Sequence, residues 1–272
     1  MNNDVFELRD VRFSYLGKYP ALCGVDITVA KGERIAVIGA NGSGKSTLLH
    51  ILDGLFFPDS GDVKAFGAEL SERALSDEGF NRDFRKKVGL VFQNPDVQLF
   101  CPTVREEIVF GPLNFGLDHA AITAAFNSII EVFGIRDLIE RMPHQLSIGE
   151  KRKVAMASVL ISGPDVLLLD EPTAGLDPKT SRDLIDLLNG YHAEGKTVIT
   201  ATHDMHIIEE IADTVYVFGR DKRIIRSGRP AELLADTVFL QENNLIHMHS
   251  HSHGGKTHIH PHRHLSPDHH HT

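Results

Sequence analysis

The organisation of this chain follows from one stretch, Gly39-Ala40-Asn41-Gly42-Ser43-Gly44-Lys45-Ser46-Thr47. Its glycines, lysine and hydroxyl residues have the spacing of a phosphate-binding loop, in which backbone N–H groups surround a triphosphate. Lys45 would reach the β- and γ-phosphates, and Ser46 would offer a hydroxyl to Mg²⁺. A glycine-rich turn that arises by chance can give the same pattern, so the neighbouring sequence has to decide between the two.

The residues on either side favour the phosphate loop. Residues 34–38 are a short apolar run rich in β-branched side chains, which is typical of a buried strand. After the loop, residues 46–55 carry apolar side chains at the spacing of one helix face, namely Leu48, Leu49, Ile51, Leu52 and Leu55. A strand, the loop and a helix in this order predict a nucleotide site, with residues 39 and 41–47 as its binding residues.

The composition indicates a globular protein. The chain has 272 residues, 42% of them hydrophobic and 24% charged, which suffices for a full core in one large domain or two smaller ones. A net charge of −9 argues against nucleic acid as a partner. The sequence has neither an apolar run of about 18–20 residues nor a secretory signal, so we expect a cytosolic location. Cys23 and Cys101 are expected to be reduced structural thiols.

The first thirty residues predict antiparallel strands. Apolar and polar side chains alternate there in two runs, with the apolar ones at Val11, Phe13, Tyr15, Val25, Ile27 and Val29. For Tyr15, periodicity alone favours one more core aromatic. The alternative is a ring stacked on adenine.

Residues 70–84 and residues 96–164 are predicted to differ in secondary structure. Residues 70–84 are polar and acidic with little periodicity, so we expect an insertion or surface loop. Residues 96–164 are expected to be mainly helical and to form a lobe inserted between strands. Within this lobe Asp118 should start a helix that Gly134 ends, and Ser147 is a candidate N-cap for a helix over residues 151–161.

An apolar run that begins at Val166 ends in two carboxylates, Asp170 and Glu171. In phosphate-loop enzymes such a buried strand brings an acidic residue beside the nucleotide, where Asp170 can hold Mg²⁺ and Glu171 can orient the attacking water. A solvated turn is the alternative, and the phosphate loop upstream makes it the weaker one. His203 follows a further apolar run, residues 196–201, and is equally compatible with a turn or a site.

The order of these elements predicts the fold class. Strands alternate with helices, which indicates an α/β protein whose phosphate-loop NTPase core is a mostly parallel sheet with helices on both faces. The N-terminal strands would add an antiparallel β subdomain. Residues 96–164 would add an inserted helical subdomain.

Seven motifs follow one another along the chain: Tyr15, the phosphate loop, Gln93, Leu146-Ser147 with Gly149, Asp170-Glu171, Gly175-Leu176-Asp177-Pro178 and His203. In this order they resemble the nucleotide-binding subunit of ATP-binding cassette transporters, over residues 4–245. The resemblance implies a subunit that binds ATP with Mg²⁺ and hydrolyses it. It also implies a homodimer, or a pair with a second ATPase, that sandwiches two ATP molecules head to tail.

The resemblance assigns roles within one copy. Tyr15 would stack on adenine, which reverses the preference from periodicity. Glu171 would be the general base, His203 would contact the γ-phosphate, and Lys45 would act on the phosphates during hydrolysis. Gln93 would couple the Mg²⁺ site to the helical lobe and serve as a ligand of the ion.

Other roles concern the second copy. Ser147 and Gly149 would complete the nucleotide site of the partner, and Asp177 would lie across the dimer interface. The sequence departs from the family's usual Leu-Ser-Gly-Gly-Gln at Ile148 and Glu150. If the position of Ile148 needs a left-handed backbone, the loop must be strained or rearranged. We expect slower hydrolysis rather than none, and a weaker contact with the partner's phosphates because Glu150 adds negative charge.

Residues 91–100 and 110–114 look like the energy-coupling-factor branch of this family, particularly its cobalt and nickel importers. The implied function is hydrolysis of ATP to import Ni²⁺ or Co²⁺ through separate integral membrane subunits, at the cytoplasmic face of the cell membrane. Two alternatives stay open: the ATPase of a vitamin importer of the same branch, and a soluble NTPase for nickel insertion or storage. The second leaves Ser147, Gly149 and the loop at Asp177 unexplained.

Eleven of the seventeen histidines lie in residues 247–272, beyond an ATPase domain of residues 1–246. They are interleaved with other residues, which argues against the alternative of a purification tag. In an extended chain this alternation puts imidazoles on one side, and imidazole suits Ni²⁺, Co²⁺, Cu²⁺ and Zn²⁺. The few apolar residues predict a disordered, metal-binding tail with the ligands His247, His249, His251, His253, His258, His260, His262 and His264.

Overall fold

The computed structural model of the chain describes residues 3–253 and 256–262. The strands in this part of the chain are, in order, β1 (Asp4–Tyr15), β2 (Tyr19–Ala30), β3 (Arg34–Gly39), β4 (Ser60–Ala65), β5 (Ala68–Glu69), β6 (Val88–Val91), β7 (Val166–Asp170), β8 (Thr197–Thr202), β9 (Thr214–Phe218), β10 (Ile224–Gly228), β11 (His247–His253) and β12 (Lys256–His262). The α-helices are α1 (Lys45–Leu52), α2 (Glu72–Leu75), α3 (Glu78–Lys87), α4 (Val104–Asn114), α5 (His119–Val132), α6 (Ile148–Leu160), α7 (Pro178–Ala193), α8 (Ile208–Ile211), α9 (Pro230–Ala235) and α10 (Thr237–Glu242).

Six strands form the central sheet, in the order β10-β9-β3-β8-β7-β6. The pairings from β9 through β6 are parallel, and the edge strand β10 is antiparallel to β9. The predicted α/β fold with a mostly parallel sheet is confirmed. Because parallel strands end at the same edge of a sheet, β3, β7 and β8 bring the phosphate loop, Asp170 and His203 to one edge.

Helices cover both faces of this sheet. All residues of β7 and β8 are buried. Leu168 of β7 belongs to an apolar cluster that contains residues of α1, whereas Leu167 and Leu169 belong to a second cluster with residues of α6 and α7. Since successive side chains of a strand point to opposite faces, α1 lies on one side of the sheet and α6 and α7 lie on the other.

The N-terminal residues form the predicted antiparallel sheet, in the order β2-β1-β4-β5. The pairing of β1 with β2 runs from Asp4 opposite Ala30 to Tyr15 opposite Tyr19. Buried side chains of both strands join the apolar cluster of α1. The sheet therefore packs against the phosphate-loop helix and brings Tyr15 beside it.

Helices α4, α5 and α6 lie between β6 and β7, where the sequence predicts the inserted helical lobe. A capping box of Thr103 and Glu106 starts α4, and Asp118 is the N-cap of α5, as expected. Side chains from all three helices share one buried cluster. In residues 3–253, no helix combines the length and the apolar character needed to cross a membrane.

The sequence predicts an insertion or surface loop over residues 70–84, and the structure has α2 and most of α3 there. The expectation of a loop is wrong. The two helices are mostly polar and bury only Leu75 and Phe84 of their own side chains. The apolar spacing that indicates a helix is therefore missing. Their starts are nevertheless capped, by Ser71 and Asp77.

The backbone of the histidine-rich tail is described in β11 and β12, which pair antiparallel. The register sets three pairs of histidines opposite each other: His247 and His262, His249 and His260, and His251 and His258. This pairing differs from the disordered tail expected from composition. The scarcity of apolar residues argues against a core. The alternation of histidine with other residues along the tail, however, also suits paired strands. His264 lies outside the described residues.

Candidate active site

The phosphate loop joins β3 to α1 as predicted, and its shape requires its glycines. Gly42 and Gly44 have φ angles of 73° and 113°, a region that disfavours any side chain. A β-carbon at Gly44 would also lie 2.4 Å from the carbonyl oxygen of Ala21. The loop thus presents the N-terminus of α1, with its free N–H groups, to an anion.

Lys45 is buried in the loop, with 6% of its surface exposed. Its Nζ donates hydrogen bonds to the carbonyl oxygens of Gly39 (2.8 Å) and Ala40 (3.3 Å). Burial lowers the pKa of Lys45, and the charges of Glu171 and Asp170 offset part of this shift. A triphosphate would offer the ammonium charged acceptors, which bind more strongly than the two carbonyl groups.

A cleft of about 310 Å³ opens beside the loop. It is lined by Tyr15, Tyr19, Pro20, Ala21, Gly42, Gly44, Lys45, Ser46 and Thr47. The Tyr15 hydroxyl lies 2.9 Å from Thr47 Oγ1, and its ring packs edge-on against Phe13 and Phe56. Tyr15 is 39% exposed, so it is not the core residue that periodicity favours. Its stacking on adenine stays a prediction.

Asp170 ends β7 and is buried. Burial raises its pKa, and a hydrogen bond with Ser46 partly opposes that shift. Its Oδ1 has no hydrogen-bond partner. A buried, unpartnered carboxylate oxygen beside a hydroxyl is a suitable ligand pair for Mg²⁺, so these residues fit the ion that the resemblance implies.

Glu171 follows Asp170 with a left-handed backbone, at a φ of 49°. Its buried carboxylate faces the end of β8: Oε1 lies 2.8 Å from His203 Nδ1, and Oε2 accepts bonds from Thr202 Oγ1 (3.2 Å) and from the His203 N–H (3.3 Å). A left-handed conformation costs a non-glycine residue about 1–2 kcal/mol, and it persists where the surroundings enforce it. The structure therefore brings the predicted base and the predicted γ-phosphate contact together.

Gln93 is exposed in the loop that follows β6. Its carbonyl oxygen accepts a hydrogen bond from Arg152 Nη2 (3.1 Å), and Arg152 Nη1 donates to the carbonyl oxygen of Glu171 (2.8 Å). The sequence does not single out Arg152. Arg152 reaches these loops only because α6 packs against the ends of β6 and β7. No local sequence pattern predicts that packing.

The three residues expected to serve a partner copy do not line the cleft of their own chain. Ser147 is the N-cap of α6 in a capping box with Glu150, as the sequence predicts before the resemblance is considered. A β-carbon at Gly149, in the first turn of α6, would meet nothing within 4 Å. Asp177 is the N-cap of α7 and accepts bonds from the N–H and hydroxyl of Thr180. Ser147 and Asp177 are both exposed.

Ile148 occupies the first helical position of α6. It is not among the non-glycine residues with positive φ in the described part of the chain, so the strain considered from the sequence is absent. Glu150 accepts a hydrogen bond from the Ser147 N–H (2.7 Å), which lowers the pKa of Glu150. Its charge therefore sits at a helix N-terminus, where negative charge is favourable.

A further cation, Lys222, contacts the phosphate loop and was not predicted. It lies between β9 and β10, and its Nζ donates a hydrogen bond to the carbonyl oxygen of Gly42. The same turn is tied to β2, because the Cys23 N–H donates to the Lys222 carbonyl (3.0 Å). Phe218 packs under the loop, where a β-carbon at Gly39 would lie 2.9 Å from the Phe218 Cβ.

Known proteins resemble this chain over most of its length. The family described as ABC transporter matches residues 22–174. The nickel import ATP-binding protein NikO of Rhodobacter capsulatus is 49% identical over 244 residues, which cover 89% of this chain and 95% of that protein. The energy-coupling factor transporter ATP-binding protein EcfA of Methanoculleus marisnigri is 43% identical over 242 residues, which cover 89% of this chain and 85% of that protein.

A solved structure agrees with these relatives. CbiO1 from Clostridium perfringens, part of the ABC transporter complex CbiONQ, has a TM-score of 0.74 and 35% identity, and the match covers 89% of this chain and 95% of that one. The resemblance seen in the seven sequence motifs is confirmed. The chain belongs to the ATP-binding subunits of ABC transporters, which couple ATP hydrolysis to transport, and its relatives include energy-coupling-factor and nickel-import ATPases.

Proposed function

We propose that this chain is the ATPase of a membrane importer for Ni²⁺ or Co²⁺, and that it energises transport through separate integral membrane subunits. The proposal rests on the buried carboxylates of Asp170 and Glu171 at the sheet edge that carries Lys45, in a chain 49% identical to a nickel import ATPase. The site supplies the hydrolysis, and the relatives indicate the cargo.

Hydrolysis follows from the side chains at this edge. A carboxylate oxygen of Glu171 takes a proton from water while the water oxygen attacks the γ-phosphorus. The bond from that phosphorus to the β–γ bridging oxygen breaks, which yields ADP and inorganic phosphate. Lys45 would offset the charge of the phosphates. Glu171 orients His203 through its Nδ1, and the other ring nitrogen would be offered to the γ-phosphate.

Mg²⁺ would be held by Ser46 and Asp170, with the Gln93 side chain completing the protein ligands. When bound, the ion neutralises charge on the β- and γ-phosphate oxygens. The unpartnered Asp170 Oδ1 supports this assignment, because a buried carboxylate oxygen without a hydrogen bond is costly unless a ligand satisfies it.

A second ATPase copy would complete the site. Ser147 and Asp177 are exposed, and they lie outside the cleft of their own chain. The Ser147 hydroxyl and the Gly149 N–H at the start of α6 form a helix N-terminus that suits the γ-phosphate held by another copy. In a head-to-tail dimer the start of α6 would face the partner's nucleotide and Asp177 would lie at the interface. Either an identical copy or a related ATPase satisfies this geometry.

An apolar surface on the helical lobe suits the membrane subunits. Its large exposed side chains are Phe100, Phe110 and Met142. The rings of Phe100 and Phe110 lie edge to face with centroids 4.9 Å apart, beside a groove of about 350 Å³ that Phe100 and Met142 help to line. Exposed apolar patches of this kind mark interaction sites. Docking there would hold the chain at the cytoplasmic face of the membrane, a few residues from Gln93.

Two observations support the assignment of a metal ion as the transported substrate. One is the similarity to NikO, whose name states nickel import. The other is the tail, where the register sets three pairs of histidines opposite each other in β11 and β12. Imidazole is a common ligand of both Ni²⁺ and Co²⁺, so a segment that sets histidine opposite histidine at three positions suits them. We propose that this tail binds Ni²⁺ or Co²⁺.

Two measurements separate this proposal from its alternatives. Capture of integral membrane proteins from detergent-solubilised membranes would exclude a soluble nickel-insertion or storage NTPase. Uptake of radiolabelled Ni²⁺, Co²⁺ and a vitamin would then be compared in cells that express the transporter with the wild-type chain or with Lys45→Ala. We expect metal uptake that the substitution abolishes. Vitamin uptake without metal uptake would overturn the substrate assignment.

A further inference from the structure

Arg152 connects two loops that the nucleotide site depends on. It lies in the second turn of α6, the helix that begins after Ser147. Its Nη2 donates to the carbonyl oxygen of Gln93 (3.1 Å), and its Nη1 donates to the carbonyl oxygens of Glu171 (2.8 Å) and Pro172 (3.4 Å). One planar guanidinium therefore holds the loop after β6 and the loop after β7 at a fixed separation.

The hydrogen bonds of the Arg152 guanidinium group go to these three carbonyl oxygens. Its Nε is buried without a hydrogen-bond partner. Burial lowers the pKa of Arg152, and the negative charge of Glu171 opposes this shift. A desolvated cation of this kind is held firmly by the acceptors it has, since bonds from a charged donor are stronger than neutral ones. Movement of α6 would therefore act directly on the two loops.

Glu171 is held from two sides. Its carboxylate meets His203 and the hydroxyl of Thr202, while its carbonyl oxygen meets Arg152. Between these contacts the backbone is left-handed, with a φ of 49°. Such a conformation is kept only when neighbouring contacts enforce it, and the bond from Arg152 is one of those contacts. Loss of that bond would let the peptide relax and turn the carboxylate away from the reacting water.

We propose that Arg152 is a positioning residue for ATP hydrolysis, which fixes the backbone of Glu171 and of Gln93 and links both to the helix that begins at Ser147. This inference rests on the proposed role of Glu171 as general base. Because Ser147 and Arg152 belong to the same helix, engagement of Ser147 by a partner-bound nucleotide is transmitted to the base through the guanidinium.

Lys151 provides a matched control. It precedes Arg152 on α6 and also binds the segment after β6, through an ion pair between its Nζ and Asp96 Oδ1 (2.6 Å). It makes no contact of this kind with Glu171. Lys151→Met therefore removes a link between α6 and the same segment and leaves the base in place.

The test compares Arg152→Met, Arg152→Lys and Lys151→Met in the full-length protein. We expect Arg152→Met to lower kcat by about 10- to 100-fold, because a small misplacement of a catalytic group is costly, while the KM for ATP changes by no more than about twofold. Arg152→Lys should recover part of kcat, since an ammonium keeps the charge but cannot span both loops. Lys151→Met should leave kcat within about twofold of wild type. An unchanged kcat in Arg152→Met would overturn the proposal.

A double substitution decides whether Arg152 acts through Glu171. In single-turnover hydrolysis, Arg152→Met added to Glu171→Gln should change the rate by less than about twofold, because residues that act as a unit are not additive. If the double variant loses the full factor again, Arg152 acts independently of the base. If Arg152→Met loses ATP affinity together with kcat, and Arg152→Lys does the same, its role is structural. If Glu171→Gln alone hydrolyses ATP at the wild-type rate, the assignment of the base fails instead.

Discussion

Glu171 Oε1 and His203 Nδ1 lie 2.8 Å apart, at the adjacent ends of two parallel strands. The contact engages one oxygen of the carboxylate and leaves the other edge of the imidazole for the nucleotide. Oε2 accepts two weaker bonds, from Thr202 and from the His203 backbone. Protein contacts therefore orient the base, which is how a positioned carboxylate gains its catalytic effect.

Lys45→Ala should weaken both ATP binding and turnover. The substitution removes the buried ammonium that bonds to the carbonyl groups of Gly39 and Ala40 and that would exchange them for phosphate oxygens. Equilibrium binding of a fluorescent ATP analogue measures the affinity. Lys222→Met is the control, because it removes a cation that contacts the loop at the carbonyl oxygen of Gly42. Wild-type affinity in Lys45→Ala would place the nucleotide elsewhere.

Asp53 should make stability depend on pH. It lies at the end of α1, where burial raises its pKa from 3.8 to about 7 and Arg85 offsets only part of the shift. The folded state therefore binds a proton that the unfolded state has released. This contribution to stability is complete below the unfolded pKa and is lost as pH rises through the folded value, by up to about 1.4 kcal/mol per pH unit.

Asp53→Asn isolates this effect, because it keeps an acceptor for Arg85 and removes the ionisation. Relative to wild type, its free energy of unfolding should rise between about pH 4 and pH 7 and then level off. Urea denaturation at several pH values provides the measurement. Asp96→Asn is the control, since Asp96 is an exposed carboxylate paired with Lys151. A difference between Asp53→Asn and wild type that does not vary with pH would remove the explanation.

Deletion of residues 247–272 should leave ATPase activity unchanged and abolish Ni²⁺ and Co²⁺ binding by the isolated subunit. Binding by the intact chain should weaken as pH falls from about 7.5 to 5.5, because a ligand imidazole must be neutral and its ordinary pKa is about 6.5. Deletion of residues 265–272 alone is the control, because it retains the paired strands β11 and β12 and the predicted ligand His264. Calorimetric titration gives the stoichiometry, and an equal value with and without the tail would refute metal binding there.

Local patterns in the sequence predict the parts of the site that lie within one continuous segment. The strand, loop and helix around Lys45 and the apolar run that ends in Asp170 are of this kind. The role of Arg152 is not, because it arises where α6 meets two separate loops. The left-handed backbone of Glu171 is equally invisible, since the sequence alone favours ordinary conformations for glutamate.

A polar composition leads to a wrong prediction of secondary structure at residues 70–84. The helices α2 and α3 bury few side chains of their own and therefore lack the apolar period that indicates a helix. At Ile148 the comparison with the family's usual signature implies strain if the position needs a left-handed backbone, whereas the residue begins α6 with a helical backbone. For α2 and α3 the N-caps, Ser71 and Asp77, carry the signal that hydrophobic periodicity lacks.

The coupling of ATP hydrolysis to metal transport is tested most directly in proteoliposomes that contain the complete transporter. ATP hydrolysis and the accumulation of radiolabelled Ni²⁺ or Co²⁺ would be measured together, with the wild-type chain and with Glu171→Gln. We predict that the substitution slows both by about 10²–10⁴-fold, as expected for loss of a general base, while ATP binding persists and holds the ATPase dimer together. Metal accumulation that continues when hydrolysis is lost, or hydrolysis unaffected by Glu171→Gln, would contradict this function.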